Sequence, residues 1–284
     1  MSRGELTPRV FCLYHSYLAR DSPPPAMDTI MRKLFVVLAF AFLATTLSAQ
    51  TAEEIINQYI EARGGLAKIK SVKTQRITGT VSFGPSAESP FLVEHERPLK
   101  VYTKLTINDQ TMIRTYNGKN QGWVYNPFAP NPSVQEMGTA EIAAMVEEAD
   151  FDGPFVDYKA KGNQIEFVDK EEVLGKTAYK IKLTSKTGGV SHFYFDASTH
   201  LVLKWESVRK IENKDVPWET YFRDVRDVDG LKFPFLIESS ASGSDQVQKI
   251  SADKIEVNVT IDEAHFGKPE APPMPPAPAA TPKP

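Results

Sequence analysis

Cysteine is all but absent from this chain of 284 residues: the single one is Cys12. Everything downstream of it therefore lacks a disulfide, a thiolate metal site and a cysteine nucleophile. A run of basic residues is missing too. The formal net charge is −3, with 33 Lys and Arg interspersed among 36 Asp and Glu, which excludes the electrostatic footprint of a nucleic-acid-binding domain. No apolar stretch reaches the roughly 20 residues that a membrane-spanning helix needs. Internal repeats are absent, as are the catalytic signatures H-E-x-x-H and G-x-S-x-G. His95, His192, His200 and His265 share no metal-ligand spacing. Glu147-Glu148 and Glu171-Glu172 are adjacent pairs, and neighbours on a strand point to opposite faces, so neither supplies a paired acid and base. Asn258-Val259-Thr260 is a chance match to a glycosylation sequon. The expectation is a protein that is not an enzyme and that uses no metal or cofactor.

What is present begins with an address. Met31-Arg32-Lys33 is a positive n-region, Leu34 to Leu47 an apolar core of about 14 residues, and Thr46-Leu47-Ser48-Ala49-Gln50 a small-residue cleavage zone. Residues 31–49 thus read as a signal peptide, cleaved after Ala49, with Ser48 the alternative. Residues 1–30, with Pro23-Pro24-Pro25 and no periodic apolar pattern, read as a mis-assigned or disordered leader ahead of the better start at Met31. No cysteine follows the apolar core, so a soluble, exported product without a lipid anchor is expected. Residues 268–284 are rich in Pro and Ala and read as a flexible tail. Residues 50–267 remain, enough for one domain of an all-β architecture.

Two helices are signalled. Thr51-Ala52-Glu53-Glu54 is a capping box, followed by the apolar stripe Ile55, Ile56, Tyr59 and Ile60, and Gly64-Gly65 supplies a left-handed stop. A second helix starts near Thr139. Ile142, Met145, Val146 and Ala149 share one face while Glu141, Glu147 and Glu148 are solvated, and Gly153-Pro154 ends the segment. Elsewhere the pattern has period two. Leu99, Val101, Thr103, Leu105 and Ile107 form one stripe; Tyr179, Ile181 and Leu183 a second; Leu201, Leu203 and Trp205 a third; Ile255, Val257, Val259 and Ile261 a fourth. Turn signals such as Asn108-Asp109, Asn117-Gly118, Gly175-Lys176 and Asp229-Gly230 separate them, giving on the order of ten to twelve antiparallel strands. Two helices cannot cover so wide a flat sheet, and such sheets curl. The fold class expected is mainly β: a strongly curved antiparallel sheet, an open (incomplete) β-barrel, with two helices over its concave face. Pattern alone leaves open whether that face is a filled core or a cavity for acyl chains.

One segment carries a more specific signal. Asn117-Gly118-Lys119-Asn120-Gln121-Gly122-Trp123-Val124-Tyr125-Asn126-Pro127-Phe128 is a hairpin tip, then an aromatic strand stopped by a proline. It resembles the D-G-K-x-x-W-x-Y-N-P-F segment of the LolA family of periplasmic lipoprotein carriers. His95-Glu96-Arg97-Pro98-Leu99-Lys100 is similar to that family's Arg-Pro before a strand under the lid, and Asp152-Gly153-Pro154-Phe155 to the Pro-Phe that follows the lid. Leu174 to Tyr179, Phe195 to Thr199 and Asp227 to Phe235 resemble the outer-membrane lipoprotein-sorting subgroup. There are departures: the turn at Lys119 to Gly122 is one residue longer, the chain beyond Asp150 is longer, and the proline-rich tail is extra.

The resemblance implies a monomeric periplasmic carrier that takes up lipoprotein acyl chains, or phospholipid, from an inner-membrane exporter and passes them to an outer-membrane acceptor. It makes the second helix the lid and Arg97 its latch, through hydrogen bonds to lid backbone. The lining candidates are Leu105, Ile107, Trp123, Tyr125, Phe128, Ile142, Met145, Val146, Tyr179, Ile181, Phe193, Phe195, Leu203 and Trp205. The competing reading is a lipid-sensing binding module of the same fold.

Overall fold

A computed structural model describes residues 50–84, 88–211 and 213–272. The expected leader and signal peptide, and most of the proline-rich tail, lie outside the described residues. The chain opens with two short helices, α1 (Ala52–Ala62) and α2 (Leu66–Ser71). Five strands follow in a meander: β1 (Thr74–Phe83), β2 (Ser89–Glu96), β3 (Lys100–Ile107), β4 (Gln110–Asn117) and β5 (Gly122–Tyr125). A short strand β6 (Val134–Glu136) leads to helix α3 (Thr139–Ala149). The second meander comprises β7 (Gln164–Val173), β8 (Lys176–Thr184), β9 (Val190–Asp196), β10 (Val202–Ile211), β11 (Lys214–Val228), β12 (Leu231–Ala241) and β13 (Gln248–Val257). A 3-10 turn at Glu263–Phe266 completes the described elements.

The thirteen strands make a single antiparallel sheet in the order β6, β5, β4, β3, β2, β1, β13, β12, β11, β10, β9, β8, β7. The first strand therefore pairs with the last, from Gln75 against Val257 to Phe83 against Gln248. Strands β6 and β7 are the two free edges, so the sheet does not close. The segment running from β6 through α3 to β7 joins these edges and must pass over one face to do so. That face, here the inner face, also carries α1 and α2.

The capping box forms as expected: the Glu54 amide donates to Thr51 Oγ1 at 3.2 Å, and the Thr51 amide to Glu54 Oε2 at 2.8 Å. Helix α1 buries Ile55 and Ile56 against Ile181, Leu183, Phe193 and Phe195 of β8 and β9. Burying two such side chains contributes about 3–6 kcal/mol, which a helix of three turns needs to hold its place. At the α1 terminus, Gly64 takes φ +123°, and a Cβ there would sit 2.4 Å from the Gly230 carbonyl. The helix pair thus seats directly on the β11–β12 turn, where the Lys232 amide donates to Arg63 O at 3.0 Å. Helix α2, which periodicity did not signal, is too short for a stripe. It places Ile69 on Leu231, Phe233, Phe235, Ile255 and Val257. Helix α3 lays Met145 and Ala149 on Val101 and Tyr116.

The outer face is covered too, which sequence pattern did not reveal. Residues 258–267 run back across β1 to β4: the Asn258 amide donates to Thr74 O, Arg76 Nη2 to Thr260 O, and Thr115 Oγ1 to Gly267 O. Phe266 ends buried among Tyr102, Ile113 and Tyr125. Beneath this strap the wholly buried Glu94 carboxylate meets Arg76 Nε and His265 Nδ1, each at 2.6 Å, so a guanidinium pairs the charge and an imidazole N–H donates to its second oxygen.

Candidate functional site

The inner face has two halves of different character. Under α1 it is solid. Phe155, from the segment after α3, sits edge-on to Tyr59, Phe193 and Phe195 at ring-centroid distances of 5.7, 4.8 and 5.3 Å. Trp205 stacks on Phe193 at 5.7 Å. These rings interlock edge to face as in a packed core.

The other half is hollow. A cavity of about 290 Å³ is walled by β1 (Ile77, Val81, Phe83), β2 (Phe91, Val93), β3 (Thr103, Lys104, Leu105), β4 (Met112, Arg114), β12 (Pro234, Phe235, Ile237) and β13 (Gln248, Ile250, Ala252, Ile255). Six adjacent strands laid flat would span roughly 24 Å, so a single small cavity touching all six requires the sheet to wrap around it. On the inner face Gly79 and Ala252, the latter in the cavity wall, pair across the β1–β13 ladder, and neither brings side-chain bulk. Gly79 admits no substitute, because a Cβ would lie 2.0 Å from the Ser251 carbonyl. The size sits at the lower limit of small-molecule sites, which run from roughly 300 to 1,000 Å³.

Three side chains tie α3 and the segment that leaves it to the sheet. Arg97, in the β2–β3 turn, donates from Nε to Val72 O at 2.6 Å and from Nη2 to Ile69 O at 3.1 Å, which caps the C-terminal end of α2. Its guanidinium also grips both oxygens of Asp152, just past α3, at 2.8 and 2.6 Å, and lies over the Phe151 ring at 4.8 Å. Arg97 is thus a clamp between α2 and the chain leaving α3. Its partners are α2 carbonyls and a carboxylate, where lid backbone was expected.

Arg114 Nη2 donates to both oxygens of Glu148 on α3, at 3.0 and 2.8 Å. With side chains 36% and 30% exposed, this pair contributes less than about 1 kcal/mol. His95 lies buried beneath the end of α3, where Nε2 meets the Glu148 carbonyl at 3.1 Å and the ring packs near Phe151. A carbonyl accepts only, so Nε2 carries the proton; Nδ1 is buried without a partner. Burial lowers the His95 pKa to about 4, and its hydrogen bond to Glu148 only partly opposes that shift.

The site residues expected from sequence divide accordingly. Leu105 lines the cavity. Ile107 follows it at the half-buried end of β3, beyond the cavity wall. Ile142, Met145 and Val146 pack on Val101 and Tyr116, fixing α3 beside the hollow without lining it. Tyr179, Ile181, Phe193, Phe195 and Trp205 belong to the filled half under α1. Tyr125 and Trp123 are corrections. Tyr125 pairs with Ile113, and both pack under Phe266 on the outer face; Trp123 shares that face by alternation. Phe128 is 52% exposed beyond the end of β5. Leu203 is corrected as well: a bulge between Val202 and Lys204 turns it to the outer face, against Val173, Ala178 and Tyr194. The walls missed were those of β1, β2, β4, β12 and β13. The period-two run Ile77-Thr78-Gly79-Thr80-Val81-Ser82-Phe83 carried the signal, interrupted by its glycine.

Three solved structures match nearly their whole length to this arrangement. A DUF1329 family protein from Desulfovibrio piger shares 13% identity at a TM-score of 0.53, covering 76% of this chain and 97% of its own. A LolA superfamily protein from Nitrosomonas europaea shares 14% identity at a TM-score of 0.50, covering 76% and 98%. The chain has a LolA-like fold. An outer membrane lipoprotein-sorting protein domain from Vibrio parahaemolyticus is the third match, with 11% identity, a TM-score of 0.51 and coverage of 76% and 95%. In sequence, the LolA-like chain is 28% identical over 178 residues to an outer-membrane lipoprotein carrier protein of Shewanella amazonensis, 57% of this chain and 84% of that one. No family model matches the sequence. Among the described residues no helix of this LolA-like chain is long and apolar enough to cross a membrane.

Proposed function

We propose that this protein is a periplasmic, non-enzymatic carrier that holds the acyl chain of a lipoprotein or related lipid in the hollow of its sheet and passes it toward the outer membrane. The observation that carries this reading is the mainly apolar cavity of about 290 Å³, walled by six strands, with Arg114 of its wall hydrogen-bonded to Glu148 of α3. Similarity to an outer-membrane lipoprotein carrier protein supports the same reading. Each methylene moved from water into such walls contributes about 0.8 kcal/mol, so ten methylenes supply about 8 kcal/mol before the cost of ordering the chain. That suffices to keep a tail out of water and still release it when α3 swings away. The tethers of α3 are unequal, with a clamp at Arg97 and a weak pair at Arg114, which favours opening along the Arg114 side.

Native mass spectrometry of the protein expressed with its signal peptide, followed by incubation with acceptor vesicles, tests the proposal. A bound lipid that moves to the vesicles is the expected result. A lipid retained on the protein would instead mark a lipid-sensing module, and a protein that never acquires lipid would overturn the reading.

A further inference from the structure

Resting on the reading of the cavity as a lipid site, we infer that it selects single-chain amphiphiles with an anionic head, and that Arg114 is the residue that recognises the head in competition with Glu148. Three observations carry this. The cavity has the capacity of one small ligand, not of several chains side by side. Its walls are almost wholly apolar, so the few polar groups fix the orientation of whatever enters. Of the two cationic residues that border it, Lys104 pairs across the ladder with Ile113, whose side chain lies on the outer face, which leaves Arg114 as the cation presented to the inside.

Arg114 is placed for the task. Its ladder partner Thr103 and its neighbour two residues back, Met112, are both in the cavity wall. Its guanidinium already holds a carboxylate, that of Glu148, through Nη2 at 3.0 and 2.8 Å, and among the described residues no hydrogen bond engages Nε or Nη1. A planar fork with free donors suits a second carboxylate or a phosphate. The Glu148 side chain is 30% exposed, so water can take it over when it is displaced. The head of an entering ligand thus exchanges for Glu148 on Arg114, and in doing so removes one of the ties that hold α3 to the sheet beside the hollow. Arg97 and Asp152, the other tie, keep the segment after α3 in place. Loading and lid release become one event. The chemistry is shared by a fatty-acid carboxylate and a lysophospholipid phosphate, and the test separates them.

Displacement of the neutral probe N-phenyl-1-naphthylamine from the full domain by oleate, oleoyl lysophosphatidic acid and monoolein reads the preference directly. Either anion is expected to bind wild type roughly tenfold more tightly than neutral monoolein, as a charge-assisted hydrogen bond allows. Whichever anion binds more tightly identifies the head. Arg114→Gln should erase the preference, costing the two anions about tenfold more than it costs monoolein, whose remaining binding shows that the variant is folded. Glu148→Gln should widen the preference by freeing Arg114. Equal losses for anionic and neutral ligands in Arg114→Gln, or no preference in wild type, would overturn the assignment. If only diacyl lipid loads, the single-chain inference fails while the lipid site stands; if nothing loads, the functional proposal fails with it.

Discussion

Replacing Arg97 by leucine removes four hydrogen bonds at once, those to Val72 O, Ile69 O and both oxygens of Asp152. Asp152 is only 8% exposed, so its carboxylate would be left with little water and no counter-ion. Breaking one partner of a buried pair costs about 3–5 kcal/mol. The Arg97 side chain is itself 30% exposed, so water partly replaces it, and the lower end of about 3 kcal/mol is expected. For a domain of this size that corresponds to a fall in Tm of about 6–12 °C. The damage should be local before it is global. Amide hydrogen exchange should quicken in α3 and residues 150–153, while α1, held by Phe155 and the rings around it, keeps its protection. Arg97→Lys, which keeps the charge but loses the fork, should fall between wild type and Arg97→Leu. A Tm within about 2 °C of wild type, with unchanged exchange past α3, would show that the clamp holds nothing.

Three further outcomes follow from the geometry. His95 titrates near 4 when folded and near 6.5 when unfolded, so the unfolded chain gains a proton first as pH falls. Stability should therefore drop from about pH 6.5 downward and level off below about pH 4, losing about 2–3 kcal/mol by pH 4.5 in urea unfolding; His95→Gln should flatten that slope. Leu105→Trp, filling the cavity from the β3 wall, should cut lipid loading at least about tenfold with Tm within a few degrees of wild type; normal loading would place the ligand elsewhere. Gly79→Ala should destabilise by about 3 kcal/mol or more in the same urea assay, because a Cβ 2.0 Å from the Ser251 carbonyl forces the β1–β13 ladder apart. A neutral result there would mean that the ladder yields easily.

Much of this architecture was legible from local chemistry. Thr51 and Glu54 announced α1, the stripe Ile142, Met145, Val146 and Ala149 announced α3, and alternation placed Val101, Thr103 and Leu105 on one face of β3. The open antiparallel sheet follows from the excess of strands over helices. What was not legible depended on partners distant in sequence. Alternation says which residues share a face, never which face is inside, so Trp123 and Tyr125 were expected in the cavity although Phe266 covers them from the other side. A one-residue bulge after Val202 then inverted Leu203. The position of the hollow was hidden for a similar reason: it lies where two small residues, Gly79 and Ala252, meet from opposite ends of the chain. Arg97 stood out only through its resemblance to a family motif, because an arginine at a strand end is ordinarily solvated.

The pairing of the first strand with the last has a consequence for biogenesis. The seam between β1 and β13 runs through the middle of the binding hollow, so the hollow does not exist until Val257 has been delivered. A nascent or translocating chain can zip β2 to β6 among themselves, yet leaves the other side of the seam unmatched until β13 arrives. On the proposed reading, a molecule short of that ribbon has no site to load, and gains one only as β13 locks home.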